Sequence, residues 1–124
     1  MYNRIIKQQI LDKFYQGRAI IIVGPRQVGK TTICQSLIKE NNWENQTIKF
    51  NCDNPTDRER LNNKDFERLS QLAGNKKIIF IDEAQKVKTI GQTIKLLVDN
   101  FKEQKQIIAT GSSSLNLLDK TTEP

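Results

Sequence analysis

The sequence predicts an α/β fold of three layers, with a parallel β-sheet between two layers of helices. Short apolar runs rich in β-branched residues alternate with helical patterns along the 124-residue chain, as in βαβ units. Residues able to carry chemistry follow three of these runs, at Gly24–Thr32, Asp82-Glu83 and Thr110–Ser112. Because ligands bind at the carboxyl ends of parallel strands, these three stretches are predicted to converge in space.

The first part of the chain is predicted to form a helix, a strand and a second helix. Apolar side chains such as Ile6 and Ile10 recur at helical spacing and predict an amphipathic helix over residues 3–15. The run Ala19–Val23 then predicts a buried strand. A second amphipathic helix follows the next turn and is predicted to end near Asn41.

Strands and helices continue to alternate in the rest of the chain. Three short apolar runs predict the remaining strands: Thr47–Asn51, Ile78–Ile81 and Gln106–Ala109. Pro55 begins a helix-prone stretch, Asp65 is a plausible N-cap for a short helix, and residues 89–101 show helical spacing of apolar side chains. A last short apolar stretch, Leu115–Leu118, follows a serine run.

The turn after the first predicted strand fits G-x-x-x-x-G-K-[ST], the phosphate-binding P-loop. Its glycines allow a backbone path in which N–H groups face phosphate oxygens, and the following helix adds its positive dipole end. Lys30 would reach the β- and γ-phosphates, and the Thr31 hydroxyl would bind Mg²⁺. The predicted nucleotide-binding residues are Gly24, Pro25, Arg26, Gln27, Val28, Gly29, Lys30, Thr31 and Thr32.

The run Ile78–Ile81 ends in Asp82-Glu83, which fits a Walker B element. A buried strand would hold the Asp82 carboxylate near Mg²⁺, and Glu83 would polarise the water that attacks the γ-phosphate. Carboxylate, hydroxyl and phosphate oxygens are the ligands that Mg²⁺ favours. An acidic pair can also simply cap a strand, but its position downstream of a P-loop favours the Walker B interpretation.

Thr110 and Ser112 end the fourth predicted strand. A hydroxyl at this place would hydrogen-bond the γ-phosphate or the attacking water, whereas the alternative is a polar turn around Gly111. The predicted catalytic residues are therefore Lys30, Glu83, Thr110 and Ser112.

Composition argues against several other classes of protein. The net charge is +6, but the 20 Lys and Arg residues are dispersed and aromatic residues make up only 6%, so a solvated basic surface is favoured over a nucleic-acid face. The chain has no His, and Cys34 and Cys52 lack metal-ligand spacing, which argues against zinc. Two buried free thiols and no run of membrane length predict a cytoplasmic protein without a membrane partner.

Three phrases of the sequence together resemble one family. They are Gly-Pro-Arg-Gln-Val-Gly-Lys-Thr-Thr from Gly24, Ile-Phe-Ile-Asp-Glu-Ala-Gln-Lys from Ile79, and Ala-Thr-Gly-Ser-Ser from Ala109. They are similar to the N-terminal ATPase module of bacterial and archaeal AAA+-type ATPases that carry a C-terminal domain of unknown function. The resemblance implies that ATP and Mg²⁺ are bound by Gly24, Gly29, Lys30 and Thr31, and that Asp82 and Glu83 form the Walker B pair. It also implies that Ser112, in preference to Thr110, matches the sensor position on the fourth strand.

The resemblance also implies that the domain continues further in its relatives. Family members have a Gly-Arg turn, a fifth strand beside the P-loop strand, and a C-terminal domain. No arginine follows Lys105 in this sequence. Residues 1–124 are therefore expected to form an N-terminal fragment of an AAA+-type domain, without the fifth strand or a downstream arginine finger, and to turn over slowly.

Three functions follow from these features. The first is an ATPase that binds MgATP and hydrolyses it. The second is a nucleotide-operated module associated with DNA or RNA, which the charge of +6 suggests. The third is an interaction domain in which nucleotide only stabilises the fold. ATP and ADP are the predicted ligands, while nucleic acid and a homo-oligomer are left open as partners.

We expect the chain to prefer ATP over GTP. A GTPase would carry Asp-x-x-Gly after its third strand, but Asp82 leads into Glu83-Ala84-Gln85, and no guanine-reading Asn-Lys-x-Asp follows a strand. Small-molecule kinases of the same fold remain open, although Glu83 beside Asp82 favours an activated water. Matched thermal-shift titrations should give higher melting midpoints with ATP than with GTP, and equal midpoints would contradict this preference.

Overall fold

A computed structural model of the chain describes residues 2–25 and 29–112. The helices are α1 (Tyr2–Leu11), α2 (Lys30–Glu40), α3 (Pro55–Leu61), α4 (Phe66–Ala73) and α5 (Ile90–Phe101). The strands are β1 (Ile20–Val23), β2 (Thr47–Asn51), β3 (Ile78–Asp82) and β4 (Gln106–Gly111). Single 3₁₀ turns lie at residues 44–46, 84–86 and 102–104. The predicted stretch Leu115–Leu118 and the loop residues Arg26, Gln27 and Val28 lie outside the described residues.

The described strands form one parallel sheet in the order β1-β4-β3-β2. In the pairing register Val23 lies opposite Gly111, and Asn51 lies opposite Asp82. The carboxyl ends of all four strands therefore lie along the same edge of the sheet. The predicted three-layer α/β fold with a parallel sheet is confirmed.

The side chains of β3 alternate between two hydrophobic cores. Ile78 and Phe80 pack with side chains of α1 and α2, whereas Ile79 and Ile81 pack with side chains of α3, α4 and α5. Because helices cover both faces, the strand reads as a continuous apolar run rather than an alternation of apolar and polar residues. This double burial explains why the sequence pattern located the strand correctly.

The first helix is shorter than its apolar pattern predicted. It ends at Leu11, and the amides of Lys13 and Phe14 donate to carbonyls three residues earlier, which tightens the chain into a turn. Tyr15 then adopts a left-handed backbone conformation with φ of 59°. Its N–H donates to the side-chain oxygen of Gln106 at the start of β4. A tertiary hydrogen bond thus holds the turn that follows the helix, while the other predicted elements within the described residues agree with the structure to within about two residues.

The helices of the described residues are short. The longest of them, α5, has 12 residues, and none within residues 2–25 and 29–112 is long and apolar enough to cross a bilayer.

Both cysteines are free and buried, as the sequence predicted. Cys34 is 1% exposed and Cys52 is 0% exposed. The pKa of each thiol is raised to about 12, mainly by burial, with smaller contributions from Asp82 at Cys34 and from Asp57 and Asp82 at Cys52. At neutral pH both side chains are therefore protonated and act as small apolar groups in the core.

We expect both thiols to resist alkylation in the folded protein. At pH 8 a thiol with a pKa near 9 is roughly one-tenth thiolate, whereas one with a pKa near 12 is about one part in 10⁴ thiolate. Labelling should therefore be about a thousandfold slower in the folded chain than in urea. Because the folded-state pKa is the higher one, the contribution of these thiols to stability is complete below about pH 9 and is lost between about pH 9 and 12. Rapid labelling of either cysteine at pH 8 without denaturant would contradict this.

Candidate functional site

The three chemistry-bearing stretches meet at the carboxyl edge of the sheet, as predicted. The amide of Gly24 donates to the carbonyl of Gly111 over 3.1 Å, which extends the pairing of β1 and β4 by one residue. Asp82 ends β3, the strand that pairs on the other side of β4. The parallel register thus brings the P-loop, the acidic pair and the end of β4 together.

Gly29 is the N-cap residue of α2 and adopts a left-handed backbone conformation. Its φ is 72° and its ψ is 31°, and its carbonyl accepts the amide of Ile33 over 2.9 Å. A Cβ at this position would meet no atom within 4 Å, so the backbone conformation rather than the space requires glycine. The first turn of α2 carries no acidic residue of its own, although the Asp82 carboxylate from β3 accepts from Thr31 in that turn. The first amides of the helix have no carbonyl partner within it and form the positive end of the helix dipole. The start of α2 is therefore suited to an anion.

Lys30 is 4% exposed, and its ammonium group lies against the loop. The Nζ atom donates to the carbonyl oxygens of Gly24 over 2.7 Å and Pro25 over 3.0 Å. A buried charge is costly unless it is paired, and these carbonyls are neutral acceptors. A phosphate oxygen would make a stronger, charge-assisted hydrogen bond with the same group.

Two hydroxyl groups converge on one oxygen of Asp82. Thr31 Oγ1 donates to Asp82 Oδ1 over 2.7 Å, and Thr110 Oγ1 donates to the same atom over 2.5 Å. Asp82 is 7% exposed, and these donors compensate for the water that its carboxylate has lost. The three side chains join the start of α2, the end of β3 and the end of β4.

The hydroxyl of Thr31 and the carboxylate of Asp82 also fit a magnesium ion. Both offer oxygen ligands, which Mg²⁺ prefers, and they are already within hydrogen-bond distance of each other. Within residues 2–25 and 29–112, no group of three or more His, Cys, Asp or Glu residues could hold a metal ion. An ion bound by this pair would therefore complete its shell with phosphate oxygens and water.

Glu83 has an unusual backbone conformation, with φ of 55° and ψ of 47°. A left-handed conformation costs a residue other than glycine about 1–3 kcal/mol and persists only where its surroundings enforce it. Here the amide of Glu83 donates to Thr110 Oγ1 over 3.2 Å, and its carbonyl accepts the amide of Lys86 over 3.2 Å. The Thr110 hydroxyl thus accepts from Glu83 and donates to Asp82, so it fixes the acidic pair from the neighbouring strand.

Gln85 connects Glu83 to the end of β4, and the sequence analysis assigned it no role. Its Nε2 donates to Glu83 Oε1 over 2.9 Å and to Ser112 Oγ over 3.0 Å. Its Oε1 accepts the backbone amide of Ser112 over 3.3 Å. The only sequence signal was its position two residues after Glu83, in the turn that follows β3.

The structure thus separates the predicted site residues by their surroundings. Thr110 is completely buried behind the acidic pair, whereas Ser112 lies at the exposed end of β4. Lys30, Thr31, Asp82 and Glu83 face the same edge of the sheet. Thr32 lies one position further along α2 with an exposed side chain.

Comparisons with known proteins identify relatives of this chain. Two uncharacterised proteins, one from Mycobacterium bovis and one from Mycobacterium tuberculosis, are each 28% identical over 109 residues. The match covers 88% of this chain but only 23% of each relative, so the chain spans about a quarter of their length.

Two solved structures share the fold. A DNA replication initiation factor superposes with a TM-score of 0.60 and 16% identity, covering 97% of this chain and 43% of that one. The C. elegans protein PCH-2 superposes with a TM-score of 0.55 and 18% identity, covering 95% of this chain and 37% of that one. A family model described as an AAA domain matches residues 16–124. The chain therefore belongs to the AAA domain family, a group of P-loop ATPase modules.

Proposed function

We propose that this chain binds MgATP and hydrolyses it to ADP and phosphate. The observation that supports this best is the hydrogen bond between Thr31 at the start of α2 and Asp82 at the end of β3, with Glu83 beside them. It joins a helix N-terminus suited to phosphate, a pair of oxygen ligands suited to Mg²⁺, and a carboxylate that can accept a proton. An ATPase needs these three parts at one place.

The loop and the start of α2 would bind the phosphates. Backbone amides at the helix N-terminus would donate to phosphate oxygens, and the helix dipole would favour their charge. The Lys30 ammonium would exchange its bonds to the carbonyls of Gly24 and Pro25 for bonds to the β- and γ-phosphates. Arg26, Gln27 and Val28 remain predicted contacts of the same loop.

Thr31 and Asp82 would hold Mg²⁺, and bound Mg²⁺ supplies positive charge that offsets the negative charge of the phosphates. Glu83 would accept a proton from the attacking water. The water oxygen forms a bond to the γ-phosphorus while the bond from that phosphorus to the bridging oxygen of ADP breaks, and the proton then passes to phosphate or solvent. No oxidant or second substrate is needed.

We assign the γ-phosphate contact on β4 to Ser112 rather than to Thr110. The hydroxyl of Thr110 already donates to Asp82 and accepts from Glu83. Ser112 is exposed at the end of the same strand, two residues further on. Thr110 therefore has a structural role, and Ser112 is the proposed sensor.

Nucleic acid is a second candidate ligand, which the net charge of +6 favours. One structural neighbour is a DNA replication initiation factor, but at 16% identity that likeness concerns the fold. Among the described residues, Lys7, Arg60, Lys64, Lys86 and Lys95 each form an ion pair with an acidic side chain. These ion pairs involve five of the 20 basic side chains and leave the net charge of +6 unchanged, so the charge by itself does not select nucleic acid. The start of α2 is suited to phosphate, and MgATP is the ligand that we propose.

The whole protein's activity is part of the proposal, because the chain spans 23% of each curated relative. The fifth strand, the arginine finger, the C-terminal domain, assembly into an oligomer and a cytoplasmic location stay predictions. Charge on the γ-phosphate is often met by an arginine worth about 10³–10⁵ in rate, so we expect slow turnover by residues 1–124 alone.

Removal of the Thr110 hydroxyl should mainly lower stability, whereas removal of the Ser112 hydroxyl should mainly lower hydrolysis. Thr110→Val would leave the buried amide of Glu83 without its acceptor and should lower the free energy of unfolding by about 1–3 kcal/mol. Ser112→Ala should change it by less than about 0.5 kcal/mol and lower hydrolysis instead. Urea denaturation and phosphate release measure the two effects, and Thr56→Val is an exposed control on α3. A wild-type rate in Ser112→Ala would show that the sensor assignment is wrong.

Substitutions of Asp82 and Glu83 should also have different effects, the first on ATP binding and the second on hydrolysis. Asp82→Asn should weaken Mg²⁺-dependent ATP binding, because the residue would hold the ion. Glu83→Gln should leave ATP affinity intact and lower single-turnover hydrolysis by about 10²–10⁴-fold, the usual contribution of a positioned base. Titration calorimetry and release of labelled phosphate measure these quantities.

Asp99→Asn and Glu103→Gln are matched controls, since each removes one exposed acid far from this edge of the sheet. Both should behave as the wild type. Equal hydrolysis by Glu83→Gln and wild type would refute the proposed role of Glu83, and unchanged Mg²⁺-dependent binding by Asp82→Asn would refute that of Asp82.

A further inference from the structure

We infer that Gln85 is a positioning residue that holds the Glu83 carboxylate in place for the attacking water and ties it to Ser112. This inference rests on the proposed function and adds a residue to it. Gln85 lies in the 3₁₀ turn at residues 84–86, directly after the acidic pair. Its side-chain amide bridges the end of β3 and the end of β4.

Chemistry fixes the orientation of the Gln85 amide. A backbone N–H can only donate, so the amide of Ser112 must face Oε1 of Gln85. This leaves Nε2 toward Glu83, whose carboxylate can only accept when it is ionised. Flipping the amide would break both contacts at once, so one orientation satisfies all three groups.

Gln85 supports the Glu83 side chain at a point where the backbone contacts do not reach it. The Glu83 backbone is fixed by the left-handed conformation and by Thr110, but rotatable bonds separate that backbone from the carboxylate. Gln85 restrains the far end of the side chain at Oε1. Because Gln85 is itself bonded to the backbone of Ser112, the carboxylate is held relative to β4 as well as to β3.

Loss of this support should reduce the rate and spare nucleotide binding. Within the described part of the chain, Gln85 hydrogen-bonds to Glu83 and Ser112, whereas Lys30 and Thr31 belong to the proposed phosphate and metal positions. A displacement of about 1 Å at a reacting group can cost about 10²-fold. We therefore expect kcat to fall by roughly tenfold to a hundredfold in Gln85→Leu, with the affinity for ATP unchanged.

Gln85→Glu is a sharper variant than Gln85→Leu. It keeps the length of the side chain and an oxygen for the Ser112 amide, but it replaces the donor that faces Glu83 with a second carboxylate oxygen. Two like charges at this distance repel each other. Gln85→Glu should therefore lose at least as much turnover as Gln85→Leu.

The test measures single-turnover hydrolysis of labelled ATP and calorimetric ATP affinity in the whole protein. The variants are Gln85→Leu, Gln85→Glu, Glu83→Gln and the double variant Glu83→Gln with Gln85→Leu. Gln71→Leu, an exposed glutamine on α4, is the matched control and should behave as the wild type. If Gln85 acts through Glu83, Gln85→Leu should slow the wild type and add nothing in the Glu83→Gln background.

Several outcomes would overturn the inference. If Gln85→Leu weakens ATP binding as much as it slows turnover, Gln85 has a general structural role instead. An equal slowing in the Glu83→Gln background would show that Gln85 does not act through that carboxylate. If Glu83→Gln is inactive while Gln85→Leu is fully active, the inference alone fails. If Glu83→Gln hydrolyses ATP at the wild-type rate, the proposed function fails and the inference fails with it.

Discussion

The parallel pairing of β3 between β2 and β4 is the constraint on which the rest of this structure depends. The residues from Ile78 to Ile81 are at most 2% exposed, because helices cover both faces of the strand. A strand buried in this way can carry polar side chains only where the helical layers end. Asp82 and Glu83 stand at that boundary. The same pairing brings the end of β4 alongside them and leaves the start of α2 facing both.

A small polar network then makes this boundary stable. Asp82, Glu83, Thr110 and Lys30 are all buried, and burying charged groups is unfavourable unless their hydrogen bonds are satisfied. Within the described part of the chain, no buried side-chain nitrogen or oxygen lacks a partner. The hydroxyls of Thr31 and Thr110 achieve this at Asp82. The bonds that orient the proposed catalytic groups therefore also hold α2, β3 and β4 together, so the site and the fold share the same interactions.

The left-handed backbone conformation of Glu83 is an example of an interaction that serves both the site and the fold. A strained backbone angle at a carboxylate is unfavourable in isolation, yet it turns the chain sharply after β3 and directs Gln85 back toward β4. The hydroxyl of Thr110 on the neighbouring strand enforces the turn through the Glu83 amide. Tyr15 shows the same principle at the opposite edge of the sheet, where a hydrogen bond from the Tyr15 amide to the Gln106 side chain accompanies a left-handed turn. In both places a side chain from β4 sets a backbone conformation far away in sequence.

The sequence by itself determined the elements, their parallel arrangement and the three stretches that meet at one edge. These follow from local signals, since hydrophobic period, glycine position and strand-end chemistry are properties of short segments. It did not determine the end of α1. The turn after this helix is held by a hydrogen bond between Tyr15 and Gln106, which are far apart in sequence, and no local pattern predicts such a contact. The family resemblance favoured Ser112 over Thr110 as the sensor, but residue chemistry alone did not distinguish them, since both are hydroxyls at one strand end. Only the tertiary structure decided that the first is buried against Asp82 and that the second meets Gln85, because those contacts depend on the packing of separate strands.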